Sequence, residues 1–161
     1  MIALRPIVPR DRDAFQAFVR GLSAGARLNR FLMPVRELSP ASLMALTMPD
    51  QARHVALVAT EDARIVGEGR YVALGSGGRA EFAVVVADDW QRHGIGARLL
   101  GTLMLEARRA GLHALEGEVL RTNTAMLAFV RRLGFCLKDC PGDARLAIAE
   151  RELVDWARLA A

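Results

Sequence analysis

The segment EFAVVVADDWQRHGIGARLL, Glu81 to Leu100, carries the residue pattern best suited to chemistry. An apolar run stops at two aspartates, a basic turn with Gly94 and Gly96 follows, and an amphipathic stretch begins. A helix N-terminus leaves backbone N–H groups without intrahelical acceptors, and aligned peptide dipoles add partial positive charge there. Glycines without a Cβ let an anion come close to those groups. QRHGIG (Gln91–Gly96) therefore reads as an anion cradle, with Arg92 and Arg98 adding side-chain charge. The sequence has no G-x-G-x-x-G and no G-x-x-x-x-G-K-[ST], which argues against dinucleotide and P-loop sites. Gly-x-Gly before a helix also suits a plain tight turn, so the surrounding elements must decide.

Those elements follow from periodicity and caps. ALRPI (Ala3–Ile7) reads as a strand, and Asp11 as the cap of a helix ending near Gly21. Residues 22–38 read as loop with room for one short helix. Ser39 and Pro40 open another helix. His54–Thr60, Ala63–Leu74 and Arg79–Ala87 read as an antiparallel meander. Gly94–Ala110 repeats apolar residues at helical spacing and ends at Gly111. A strand over Ala114–Leu120 and a helix over Thr122–Leu133 come next, then two closing strands and a helix over residues 151–160 with Trp156 as its anchor. This order predicts an α/β fold: a mixed, mostly antiparallel central sheet flanked by helices.

Composition narrows the class. The 161 residues fit one domain, 1–161, and 52% hydrophobic content suits a globular chain. No apolar run approaches the roughly 20 residues of a membrane span. The start MIALRPIVPRDRD is too charged for a secretory signal, so a cytoplasmic protein without a membrane partner is expected. The net charge of +4 is almost all arginine, Lys138 being the only lysine. Scattered arginines and few aromatics argue against nucleic acid. Cys136 and Cys140 lack a second Cys/His pair, so no metal site is expected, and both thiols are expected to be reduced.

QRHGIGA fits the Q/R-x-x-G-x-G/A motif, and NTAMLAFVRRLGF (Asn123–Phe135) is similar to the asparagine-to-Gly-Phe segment, of the GNAT acetyltransferase superfamily. The order of elements matches from about residue 2 to 150. RFLMPVRELSP, RHVALVAT, AEFAVVVADDWQRHGIG and EGEVLRTNTAMLAFVRRLGF further resemble the acetyltransferase domain of bacterial protein-lysine acetyltransferases. In those proteins this domain often follows a large acyl-CoA-synthetase-like region, which this sequence lacks.

The resemblance implies an acetyl-CoA-dependent N-acetyltransferase that acts by direct transfer on a primary amine, with a protein lysine as the expected acceptor. Acylation of a small amine or antibiotic, or a non-catalytic acyl-CoA sensor, are the alternatives. A monomer or homodimer is expected. It implies that the backbone of Gln91, Arg92, His93, Gly94, Ile95, Gly96 and Ala97 holds the cofactor's diphosphate. It also implies a sheet that splays beside Val84, Val85 and Val86, which pair with the pantetheine arm. The valines read equally as buried core. Asn123 matches a cofactor-contacting asparagine, and also reads as a helix cap. Glu81 matches the family's general base. The chemistry needs one, because neutralising a lysine amine of pKa about 10.4 near pH 7.4 costs about 4 kcal/mol. Glu68, Glu116 and Glu118 are rival carboxylates on neighbouring strands. The family's usual tyrosine acid is replaced by Val130, and Tyr71, the only tyrosine, lies on another strand.

Overall fold

The computed structural model describes residues 1–153. In chain order it contains β1 (Ala3–Pro6), α1 (Arg12–Gly21), α2 (Ala24–Phe31), α3 (Pro40–Thr47), β2 (His54–Glu61), β3 (Arg64–Leu74) and β4 (Arg79–Val86). Then come α4 (Ile95–Arg109), β5 (Ala114–Leu120), α5 (Thr124–Arg132), β6 (Cys136–Asp139) and β7 (Leu146–Glu152). Seven strands form one open sheet in the order β1-β2-β3-β4-β5-β7-β6. Every pairing is antiparallel except β4 with β5. This is the mixed, mostly antiparallel α/β sheet that the sequence pattern predicts.

The two faces of the sheet carry separate apolar clusters. On one face, Leu99, Leu100 and Leu103 of α4 and Val130 of α5 pack over Val66, Phe82 and Leu115. On the other, Phe15, Phe18 and Val19 of α1 and Leu43 of α3 pack over Ala56, Val58 and Ile65. Gly67 and Gly69 let α4 lie close to β3. A Cβ on Gly69 would meet Leu103 Cδ1 at 3.1 Å, and one on Gly67 would meet Ile95 Cγ2 at 3.2 Å.

Two expectations need correction. Asp11 does not cap α1 with its side chain. Its carboxylate turns back to accept from Arg5 at 2.7 and 2.8 Å and from the Val8 amide at 2.9 Å. A charged fork outcompetes a single orphan N–H as partner. Residues 22–38 hold the one short helix they have room for, α2, which Ser23 starts by accepting from the Ala26 amide. Residues 151 and 152 finish β7 instead of opening a helix, and the rest of that expected helix, with Trp156, lies outside the described residues.

Candidate active site

The site grows from a single interruption in the sheet. β4 and β5 pair only at Arg79–Ala114, Ala80–Leu115 and Glu81–Glu116. Past that point they diverge. Gly117 sits at the fork, where an added Cβ would lie 2.9 Å from the Phe82 carbonyl oxygen and 2.8 Å from its ring. A cleft of about 920 Å³ opens between the diverging strands. Its walls are β4 on one side, β5 and α5 on the other, with α2 and the turn before α4 closing the ends.

Strand geometry decides which β4 groups reach the cleft. The Ala87 amide donates to the Val66 carbonyl of β3. In an antiparallel ladder such bonding residues alternate with residues whose backbone points away. The N–H and C=O of Val85 therefore face β3, while those of Val84 and Val86 face the cleft. The Val86 carbonyl accepts from Gln91 Nε2 there, at 3.2 Å. Of the valine run, two residues have the backbone orientation to pair with a substrate arm. The side chains of Val84 and Val86 pack on the α4-side core, which leaves their backbone free to face the cleft.

The turn before α4 has a backbone of alternating hand. Arg92 and Gly94 adopt left-handed backbone angles, φ 63° and 80°. Alternating hands turn successive N–H groups toward one concavity. None of the amides from Arg92 through Ala97 donates to a protein acceptor among the described residues. Gly96 has no room for a large side chain, with Phe129 3.4 Å from a virtual Cβ. Gln91, Arg92, Gly94, Gly96 and Ala97 line the cleft. Ile95 is buried and His93, whose Nδ1 donates to the Gln91 carbonyl at 2.8 Å, is exposed; neither side chain lines the cleft. A row of free amides, an unpaired strand edge and a cleft of this volume fit a long thioester with a diphosphate.

The carboxylates sort by their partners. Glu68 is fully buried between Arg30 and Arg70, which removes it as a base. Glu116 is paired with Arg79, which also holds Glu150. Glu81 and Glu118 form no ion pair among the described residues. Glu118 lines the cleft; Glu81 stands just outside it, exposed, at the last paired position before the fork. Partial desolvation, then the charges of Glu118 and Glu116, raise the Glu81 carboxyl above the ordinary range. Asn123 is a helix cap: its Oδ1 accepts from the Met126 amide, 3.2 Å away, at the start of α5, and the residue also lines the cleft. Val130 is buried, and Tyr71 is buried in the α4-side core away from the cleft.

Residues 26–135 match the sequence profile of the acetyltransferase (GNAT) family. The chain belongs to that family. This GNAT acetyltransferase is 35% identical to a Pseudomonas aeruginosa acetyltransferase over 91% of its length and 81% of that protein. It is 34% identical to the acetyltransferase Pat of Mycolicibacterium smegmatis over 81% of its length, and the match spans 40% of that longer relative. In structure it is similar to the GNAT domain of S. lividans PAT, with a TM-score of 0.87 at 27% identity, covering 92% of this chain and 89% of that one. As an N-acetyltransferase of this family it uses an acyl-CoA and an amine acceptor. Sequence reading missed the α2 wall of its site, Ala26, Asn29 and Arg30. Gly25 and Asn29 weaken the helical signal there, leaving Ser23 as the only strong local cue.

Proposed function

We propose that the protein transfers an acetyl group from acetyl-CoA to a primary amine of a protein lysine, with Glu81 as general base. The observation that carries this reading is the run of free amides, Arg92 to Ala97, set beside the unpaired edge of β4. Bound there, acetyl-CoA supplies an activated thioester carbonyl. The Arg92–Ala97 amides hold its diphosphate, and the Val84 amide hydrogen-bonds along the unpaired strand edge. Glu81, with its raised carboxyl, attracts the incoming ammonium and takes one proton from it, directly or through water. The amine then attacks the carbonyl carbon, the C–S bond breaks, coenzyme A leaves as thiolate, and the second proton of the attacking nitrogen passes to that thiolate or to water. A thiol of pKa about 8.5 leaves without a side-chain acid, consistent with Val130 at the usual tyrosine position. The lysine acceptor is supported by the resemblance to protein-lysine acetyltransferases and by the open acidic wall of Glu81 and Glu118.

A second reading makes Glu118 the base, because Glu118 lines the cleft and Glu81 does not. Thiol release from acetyl-CoA, followed with protein lysines and with small amines, tests the function. Calorimetry with coenzyme A tests the binding. Glu81→Gln should keep coenzyme A affinity and lose turnover by about 10²- to 10⁴-fold. If Glu118→Gln shows that loss and Glu81→Gln does not, the second reading replaces the first. Binding without turnover on any amine would make the protein a sensor.

A further inference from the structure

Behind the α2 wall of the cleft lies an ion cluster with an unequal count. Glu68 of β3 pairs with Arg70 on its own strand and with Arg30 of α2, whose Nε donates to Oε2 at 3.1 Å. Arg70 Nη1 donates to the Leu46 carbonyl at 3.1 Å and meets His54 Nε2 at 2.9 Å. A guanidinium only donates, so His54 accepts and is neutral. Desolvation, then the Arg70 charge, holds its pKa below the usual value. Two cations thus share one carboxylate, although both arginine side chains are no more than 10% exposed. Arg70 Nη2 is buried without a partner. Arg30 makes that single side-chain hydrogen bond among the described residues, and its guanidinium also lies 4.8 Å over the Phe31 ring. Its outer nitrogens are left free, and Arg30 lines the cleft.

A buried positive charge without an equal partner is unfavourable, and a guanidinium fork matches a carboxylate in a bidentate way. We infer that Arg30 is a receptor for a substrate carboxylate at the reacting end of the cleft. Its position supports this assignment. α2 starts beside the diphosphate turn, where Ser23 donates to Asp88 at 2.7 and 3.0 Å, and Arg30 stands about 10 Å further along the helix. Its partner Glu68 is opposite Val85 in the β3–β4 register, so Arg30 faces the middle of β4. The carboxylate has two possible sources: the far end of a dicarboxylic acyl group, or an acid group carried by the acceptor. The inference rests on the acyltransfer reading above.

The experiment compares charged substrates with uncharged counterparts on the full chain. Calorimetry with succinyl-CoA against butyryl-CoA reads the acyl source. Rates with acetyl-CoA on N-acetyl-lysine against its amide read the acceptor source. At least a tenfold preference for the carboxylate in one arm is expected. Arg30→Lys, which keeps a cation beside Glu68 but removes the fork, should reduce that ratio toward one. Its fold is checked by circular dichroism. Ratios near one in both arms of the wild type overturn the inference, as does a preference that Arg30→Lys leaves intact. Failure to bind coenzyme A itself would instead overturn the acyltransfer reading.

Discussion

Glu81 and Glu118 sit on adjacent strands at the mouth of the fork, and the charge of Glu118 acts on Glu81. The Glu118 carboxylate is one cause of the raised Glu81 pKa. With Glu81 as base, kcat/KM should fall on acidification through a pKa above the ordinary carboxylate range. Glu118→Gln removes a negative neighbour, lowers the Glu81 pKa, and should move that acid limb to lower pH. A kcat/KM profile between pH 5 and 9 checks this; an unmoved limb would mean that the two carboxylates do not couple. The choice between these residues was not legible in the sequence. It depends on where β4 and β5 part, a register set by tertiary packing. Likewise, nothing local showed that Glu68 would be neutralised by an arginine 38 positions away.

At the scale of elements, the turn before α4 was the most legible part, because its geometry is local. Two glycines and a helix start specify the free amides without help from the rest of the chain. The Ser39–Pro40 start of α3 was equally local, and Ser39 Oγ accepts from the Ser42 amide at 3.1 Å. α2 was obscured by Gly25 and Asn29, and it is held in place by contacts remote in sequence. Ser23 both caps α2 and binds Asp88. Ser23→Ala should cost about 1 kcal/mol, read as a lower denaturant midpoint, and a variant as stable as wild type would show that α2 does not depend on this cap. Gly117→Ala forces a Cβ against the Phe82 backbone oxygen, and should cost about 2 kcal/mol by the same measurement. No change would mean that the strands can part further without penalty.

For the molecule as a whole, stability should depend on pH through His54. Its folded pKa is depressed, whereas an unfolded histidine takes up a proton near pH 6.5. The unfolded chain therefore binds more protons as pH drops below about 6.5, and stability falls. Glu81, with a raised folded pKa, acts in the opposite sense at lower pH, so the test is a difference. The melting temperature of His54→Gln, which still offers Arg70 an acceptor, should decline less between pH 7 and 5 than that of the wild type. Parallel declines would remove His54 as the cause. The pH dependence due to Asp11 sets in only at lower pH: its pKa is lowered by Arg5, so its stabilisation is full above the unfolded value near 3.9 and lost as pH falls through the folded one.

Three residue pairs are the whole of the backbone pairing between β4 and β5. So short a seam should let the two sides of the protein flex about one another before a ligand binds. A chain-like guest lying along Val84 and Val86 would act as a rung bridging both sides, so the loaded enzyme should be the stiffer body. Deuterium uptake at those amides, fast alone and slow with coenzyme A, would record that stiffening.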